Sequence, residues 1–211
     1  MKAKSTKVMG LTAVLLASLS AGCGDVARNG RAPVMAVISA LDGASGAEPG
    51  TFGTTVNSDV VTLVEETVDG QTVDVPTVFN DLGRVTMRLT LRDPGVPGVT
   101  ATPTPLNEVT FNRYRVTYRR ADGRNTPGVD VPHPFDSAVT FTVPAEGNFT
   151  AGFTLVRHTA KQEAPLRALG TSSVIISTIA EVTFYGRDQV GNEVMATGSI
   201  GVFFGNFGDP D

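Results

Sequence analysis

The chain has one cysteine, no tryptophan and two histidines among its 211 residues. A single cysteine excludes an intramolecular disulfide. Two imidazoles and one thiol fall short of a zinc centre, which takes three or four such ligands. Lysine all but vanishes after the first seven residues: Lys161 is the only later one, and every other cation is arginine. There is no Gly-rich phosphate loop, no Gly-x-Ser-x-Gly turn and no His-Glu-x-x-His pair. No apolar run reaches the roughly 20 residues that a membrane-spanning helix needs, and no segment repeats at a fixed period.

What is present favours strands and turns. Hydrophobic residues make up 41% and charged residues 18%, with 23 glycines and 13 prolines. That is enough apolar material for a core without disulfides, and the length suits one large domain. The formal charge is −4. Residues 1–22 carry Lys2, Lys4 and Lys7 and no acid, so the chain beyond them has 14 cations against 21 carboxylates, a net of −7. That balance argues against a general nucleic-acid binder. Neither a cofactor nor a metal is expected.

The first 23 residues are laid out as a secretory leader: the three lysines, an apolar stretch from Val8 to Ala17, then small residues up to Gly22. Leu19-Ser20-Ala21-Gly22-Cys23 resembles the lipobox of bacterial lipoproteins, with Ser20 where that family most often has leucine. The resemblance implies cleavage between Gly22 and Cys23 and a diacylglyceryl group on the Cys23 thiol, making the membrane the first partner. Gly24 stands where inner-membrane lipoproteins often carry aspartate, which points to the outer membrane and the cell envelope. Residues 23–33 are then read as a lipidated N-terminus and flexible tether, 34–205 as the folded domain and 206–211 as a tail.

From Val34 onward the pattern has period two. Strands are expected at Val34–Leu41, Asp59–Glu65, Thr72–Val78, Arg84–Arg92, Glu108–Arg120, Ser137–Val143, Phe149–Arg157, Ser173–Tyr185 and Asn192–Phe204. Asp69-Gly70 is a hairpin turn signal. Within Glu108–Arg120 the apolar phase changes from Val109 and Phe111 to Tyr114, Val116 and Tyr118, which predicts a bulge near Asn112–Arg113. Asp93–Asn107 reads as a long loop. Pro165 restricts Lys161–Leu169 to a turn or two of helix.

These elements predict an all-β fold, a two-sheet antiparallel sandwich of eight or nine strands. The segment Val182-Thr-Phe-Tyr-Gly-Arg-Asp-Gln-Val-Gly-Asn-Glu-Val resembles the last two strands of bacterial immunoglobulin-like modules, where they flank an Asp/Gly/Asn turn. The resemblance implies an immunoglobulin-like sandwich and carries no activity.

Candidate sites are few. Arg84, Arg88 and Arg92 share one strand face, and Arg113, Arg115 and Arg119 share another. If the two strands pair, they form a cationic face for an envelope protein or an anionic polymer. Against this stands an ordinary solvated face whose guanidinium groups pair with acids such as Glu108 or Glu181. Asp188 and Asn192 offer oxygens for calcium, but an Asx-type turn explains them as well. A hydrolase would have to place His133 or His158 beside carboxylates in a cleft. A subunit of a larger complex would show an exposed apolar patch or an unpaired strand edge. The preferred reading is a non-enzymatic envelope protein for binding or assembly.

Overall fold

A computed structural model describes residues 32–207, except 94, 97, 99 and 100. Within them run ten strands: β1 (Val34–Ala44), β2 (Thr55–Asp59), β3 (Thr62–Val68), β4 (Gln71–Thr77), β5 (Asp81–Leu91), β6 (Val109–Arg119), β7 (Phe135–Val143), β8 (Phe149–Val156), β9 (Ile176–Asp188) and β10 (Glu193–Gly205). One short helix, α1 (His158–Lys161), and 3-10 turns at Pro105–Asn107 and Leu166–Thr171 complete the elements. The fold is all-β. The leader, Cys23 and residues 24–31 lie outside the described residues, as do 208–211 of the expected tail.

Alternation in the sequence becomes burial in the sheets. On β5, Val85, Met87 and Leu89 are buried while Arg84 and Arg88 face water. On β6, Val109 and Phe111 point inward, then Tyr114, Val116 and Tyr118 do. The change of phase is made by a register shift between Phe111 and Arg113 against both neighbouring strands, where the sequence predicts it. Asp69 and Gly70, with φ of 51° and 79°, form the expected tight turn between β3 and β4.

Eight strands form two sheets. The first has the order β1-β5-β8; the second has the order β2-β10-β9-β6-β7. All neighbours are antiparallel except β2, which runs parallel to β10. The expectation of a purely antiparallel sandwich is corrected there. A correction also applies to the tether. Ala32 is already buried and the Pro33 carbonyl accepts the Arg92 N–H at 2.9 Å, so the folded part begins before Val34.

Aromatic rings fill the space between the sheets. Phe153 of β8 lies 5.3 Å from Tyr114 of β6 and 5.3 Å from Phe184 of β9, ring centre to ring centre. Phe149 of β8 stacks on Phe141 of β7 at 5.7 Å. The Tyr114 and Tyr118 hydroxyls cross the gap to the Thr154 and Leu155 carbonyls, at 3.1 and 2.7 Å. Tyr114, Phe141, Phe153 and Phe184 are buried, and each such ring contributes about 1.5–3 kcal/mol.

The two larger sheets share two poles. β1 starts at one, where Val34 pairs with Leu91, and ends at the other, where Ala44 pairs with Leu82. The Ala44 pole also holds the ends of β2 and β10, α1 and the base of β3–β4. This hairpin is a separate two-stranded sheet, hydrogen-bonded to neither of the others.

Candidate binding surfaces

The two arginine rows do not meet. Arg84, Arg88 and Arg92 belong to β5 or its end in the first sheet; Arg113, Arg115 and Arg119 belong to β6 in the second. Both rows point away from the core, so they lie on opposite outer faces. The single cationic face built on pairing of these strands is corrected: β5 pairs with β1 and β8, and β6 with β7 and β9.

Most of these arginines have local partners. Arg84 reaches Asp42 at 3.1 Å and covers the Phe52 ring at 4.3 Å. Arg113 and Arg115 share Asp136, at 3.3 and 2.7 Å, and Arg113 lies over the Tyr185 ring at 4.0 Å. Arg92 donates to the Val34 carbonyl at 3.3 Å. The partners are Asp42 and Asp136 rather than the expected Glu108 and Glu181. Among the described residues, Arg88 and Arg119 are exposed and in no ion pair.

The Asp188–Asn192 turn uses its own oxygens. Asp188 Oδ1 accepts the Val190 and Asn192 N–H groups at 3.1 and 2.8 Å, and Oδ2 accepts Asn192 Nδ2 at 2.8 Å. That is an Asx-type turn with both carboxylate oxygens engaged. No group of three or more potential metal ligands occurs among the described residues. The histidines are apart from each other's chemistry: His158 Nδ1 lies 3.1 Å from Asn80 Oδ1, and His133 packs beside Gly128. Among the described residues neither imidazole meets a carboxylate.

The sequence does not reveal a charged centre at the Ala44 pole. Lys161 Nζ donates to Asp81 Oδ1 at 2.7 Å and to the Asp59 carbonyl at 2.7 Å, with both side chains at 0% exposure. Asp81 Oδ1 also accepts the Gly46 N–H at 2.8 Å. Burial pushes the Asp81 carboxyl above its ordinary range, and the Lys161 charge offsets only part of that. Asp81 Oδ2 and Ser58 Oγ are buried without a hydrogen-bond partner among the described residues. Beside this centre opens a cleft of ≈ 340 Å³ lined by Ser45, Glu48, Thr51, Asn57, Asp59 and Phe207, among others. The one signal in the sequence was the isolation of Lys161; its partners are 80 and 102 residues away.

The second feature at that pole is the hairpin. Residues 62–77 contain Glu65, Glu66, Asp69 and Asp74 and no cation. One face carries Val64, Glu66, Val68, Val73 and Val75, and the other sets Glu65 directly opposite Asp74. Opposed like charges repel, and an isolated two-stranded hairpin is marginal in water. Val68 and Val73 are exposed, at 50% and 41%.

Comparison with protein-family models, with curated proteins and with solved structures finds no match.

Proposed function

We propose that this chain is a lipid-anchored envelope protein whose sandwich is immunoglobulin-like and serves in assembly or binding rather than catalysis. The leader and Cys23 support the anchor, with the outer membrane as its address. Strand order supports the fold. Immunoglobulin sandwiches place their A, B and E strands in one sheet and G, F, C and C′ in the other. Here β1, β5 and β8 fill the first set, and β10, β9, β6 and β7 the second. β2 supplies a continuation of the first strand that joins the opposite sheet alongside β10.

The observation that carries the assembly reading is the hairpin, a separate sheet hydrogen-bonded to neither of the other two. A tether entering at Val34 puts the membrane at one pole, and β3–β4 leaves from the other. An acidic arm at that pole stands away from the negatively charged lipid surface, which would repel it. The arginine faces keep a smaller part: Arg88 and Arg119 are the cations free to meet an acidic partner.

Two measurements test this reading. Mass spectrometry of the N-terminal peptide from the native host should find Cys23 acylated and no residue before it; an unmodified thiol refutes the anchor. Recovery of envelope partners by the lipidated wild type should be lost when residues 64–75 are replaced by a short Gly-Ser linker. Recovery that is unchanged refutes the hairpin's role.

A further inference from the structure

The outer face of the second sheet, near the Ala44 pole, carries a patch suited to this hairpin. Arg119, Ile179, Gly201 and Thr55 lie in one row across β6, β9, β10 and β2. Ile179 is 50% exposed between the buried Thr178 and Ala180, so it points outward. Gly201 has no side chain and forms a low floor, flanked by the half-buried Phe203 ring. Ile175, just before β9, is also exposed. Ile175, Ile179 and Phe203 form its apolar part; Arg119, in no ion pair among the described residues, and Glu181, two residues along β9 from Ile179, stand at its rim. The hairpin face is apolar with one anion, Glu66, between Val64 and Val68.

We propose that these two surfaces meet between copies: the valine face of β3–β4 of one chain docks on the Ile179–Phe203 patch of a second copy, with Glu66 facing Arg119. The match is of both kinds, apolar against apolar and acid against base. Among the described residues Val68 and Val73 remain exposed, while Val64 and Val75 are half-buried. Both surfaces lie at the same pole. Two copies standing side by side with their Val34 poles together put each hairpin at the same end as the other's patch. A two-fold axis along the pole-to-pole direction repeats the contact in both directions and closes the pair as a dimer.

The scarcity of cysteine makes the test direct. Full-length Val73→Cys and Ile179→Cys chains, differently tagged, are co-expressed in the native host and oxidised in intact membranes. Both sites are on the surface, so neither change disturbs the core. A 73–179 disulfide between the two tags is expected as the main product. A pair joining Val73→Cys to Glu146→Cys, at the opposite pole, should give little. Adding Glu66→Lys should lower the 73–179 yield at least tenfold, and Arg119→Glu in the partner should restore it. A 73–179 yield no greater than the 73–146 yield overturns the proposal, as does one indifferent to the charge changes. Cross-linking of Val73→Cys only to a different protein overturns it too. The inference does not rest on the anchor. A dimer of the wild type through Cys23 would count against lipidation and leave the 73–179 comparison to be judged separately.

Discussion

Removal of Asp81 is the sharpest perturbation of this fold. Asp81→Ala leaves the Lys161 ammonium with one acceptor, the Asp59 carbonyl, and deprives the Gly46 N–H of its partner. An uncompensated buried charge costs about 3–5 kcal/mol; the orphaned amide accounts for about 1 of these. Lys161→Met should cost less, because the remaining carboxyl, already pushed upward by burial, can take a proton and become neutral. The double change Lys161→Met with Asp81→Ala removes both charges, so it should lose clearly less than the two single changes added together. Urea unfolding followed by tyrosine fluorescence reads all four proteins. Additivity within about 0.5 kcal/mol would refute the pair, since residues in contact couple more strongly than that.

The same carboxyl fixes the sign of a pH effect. Asp81 binds its proton more tightly folded than unfolded, where its pKa is 3.8. Above 3.8 the unfolded state gives up the proton first, so the folded state holds more protons and stability falls as pH rises through the raised value. The stability of the wild type relative to Asp81→Asn should therefore be greatest in acid and decline toward neutrality. A rise over the same range would mean that the attraction of Lys161 outweighs burial.

Other sites give independent expectations. A Cβ on Gly83 would collide with the Phe153 ring at the centre of the aromatic cluster, so Gly83→Ala should destabilise by about 1–3 kcal/mol; an unchanged Tm would show the ring free to move aside. Asp188→Ala orphans two amides in the β9–β10 turn and should cost about 1–2 kcal/mol. Millimolar calcium should leave the wild-type Tm where it is, and a rise of several degrees would show a site that the turn geometry does not provide. Tyr118→Phe deprives the buried Leu155 carbonyl of its 2.7 Å donor and should cost about 1–2 kcal/mol in the same urea assay.

Strands with long, clean alternation could be read from the sequence, and their neighbours could not. β5, β6, β9 and β10 follow the pattern nearly residue for residue, because a sheet buried on one face imposes period two. Even the bulge at Asn112 showed, as a slip of phase. The region around Asp59 misled. Val60 and Val61 extend the apolar run and suggest one strand from Asp59 to Glu65, whereas β2 ends at Asp59 and β3 starts anew at Thr62. The arginine rows failed for a different reason. Alternation tells which side of a strand a residue takes, but which sheet holds the strand depends on pairings tens of residues away. Lys161 was noticeable as a lone lysine, yet nothing local marks a cation whose carboxylate lies 80 residues back.

The buried ion pair and the exposed hairpin are parts of one arrangement. Asp59 ends β2 and begins the departure toward β3. Its carbonyl holds Lys161, Oδ2 accepts the Thr62 hydroxyl at 3.0 Å, and Oδ1 accepts the Phe207 N–H at 3.1 Å. Asp81 begins β5, where the chain returns from the hairpin, and its carboxylate holds the same lysine. Both feet of the arm are thus fastened to α1 by a single ammonium, which has no route to water. A hairpin that packs on neither sheet has few contacts of its own to set its direction, so its exit angle must be fixed at the base. A displacement there that parts Lys161 from Asp81 leaves a buried charge alone, which is costly. The two larger sheets do not need the pair to fill the core between them, which is already closed by rings. The buried lysine thus ties both ends of the segment that carries the hairpin to α1.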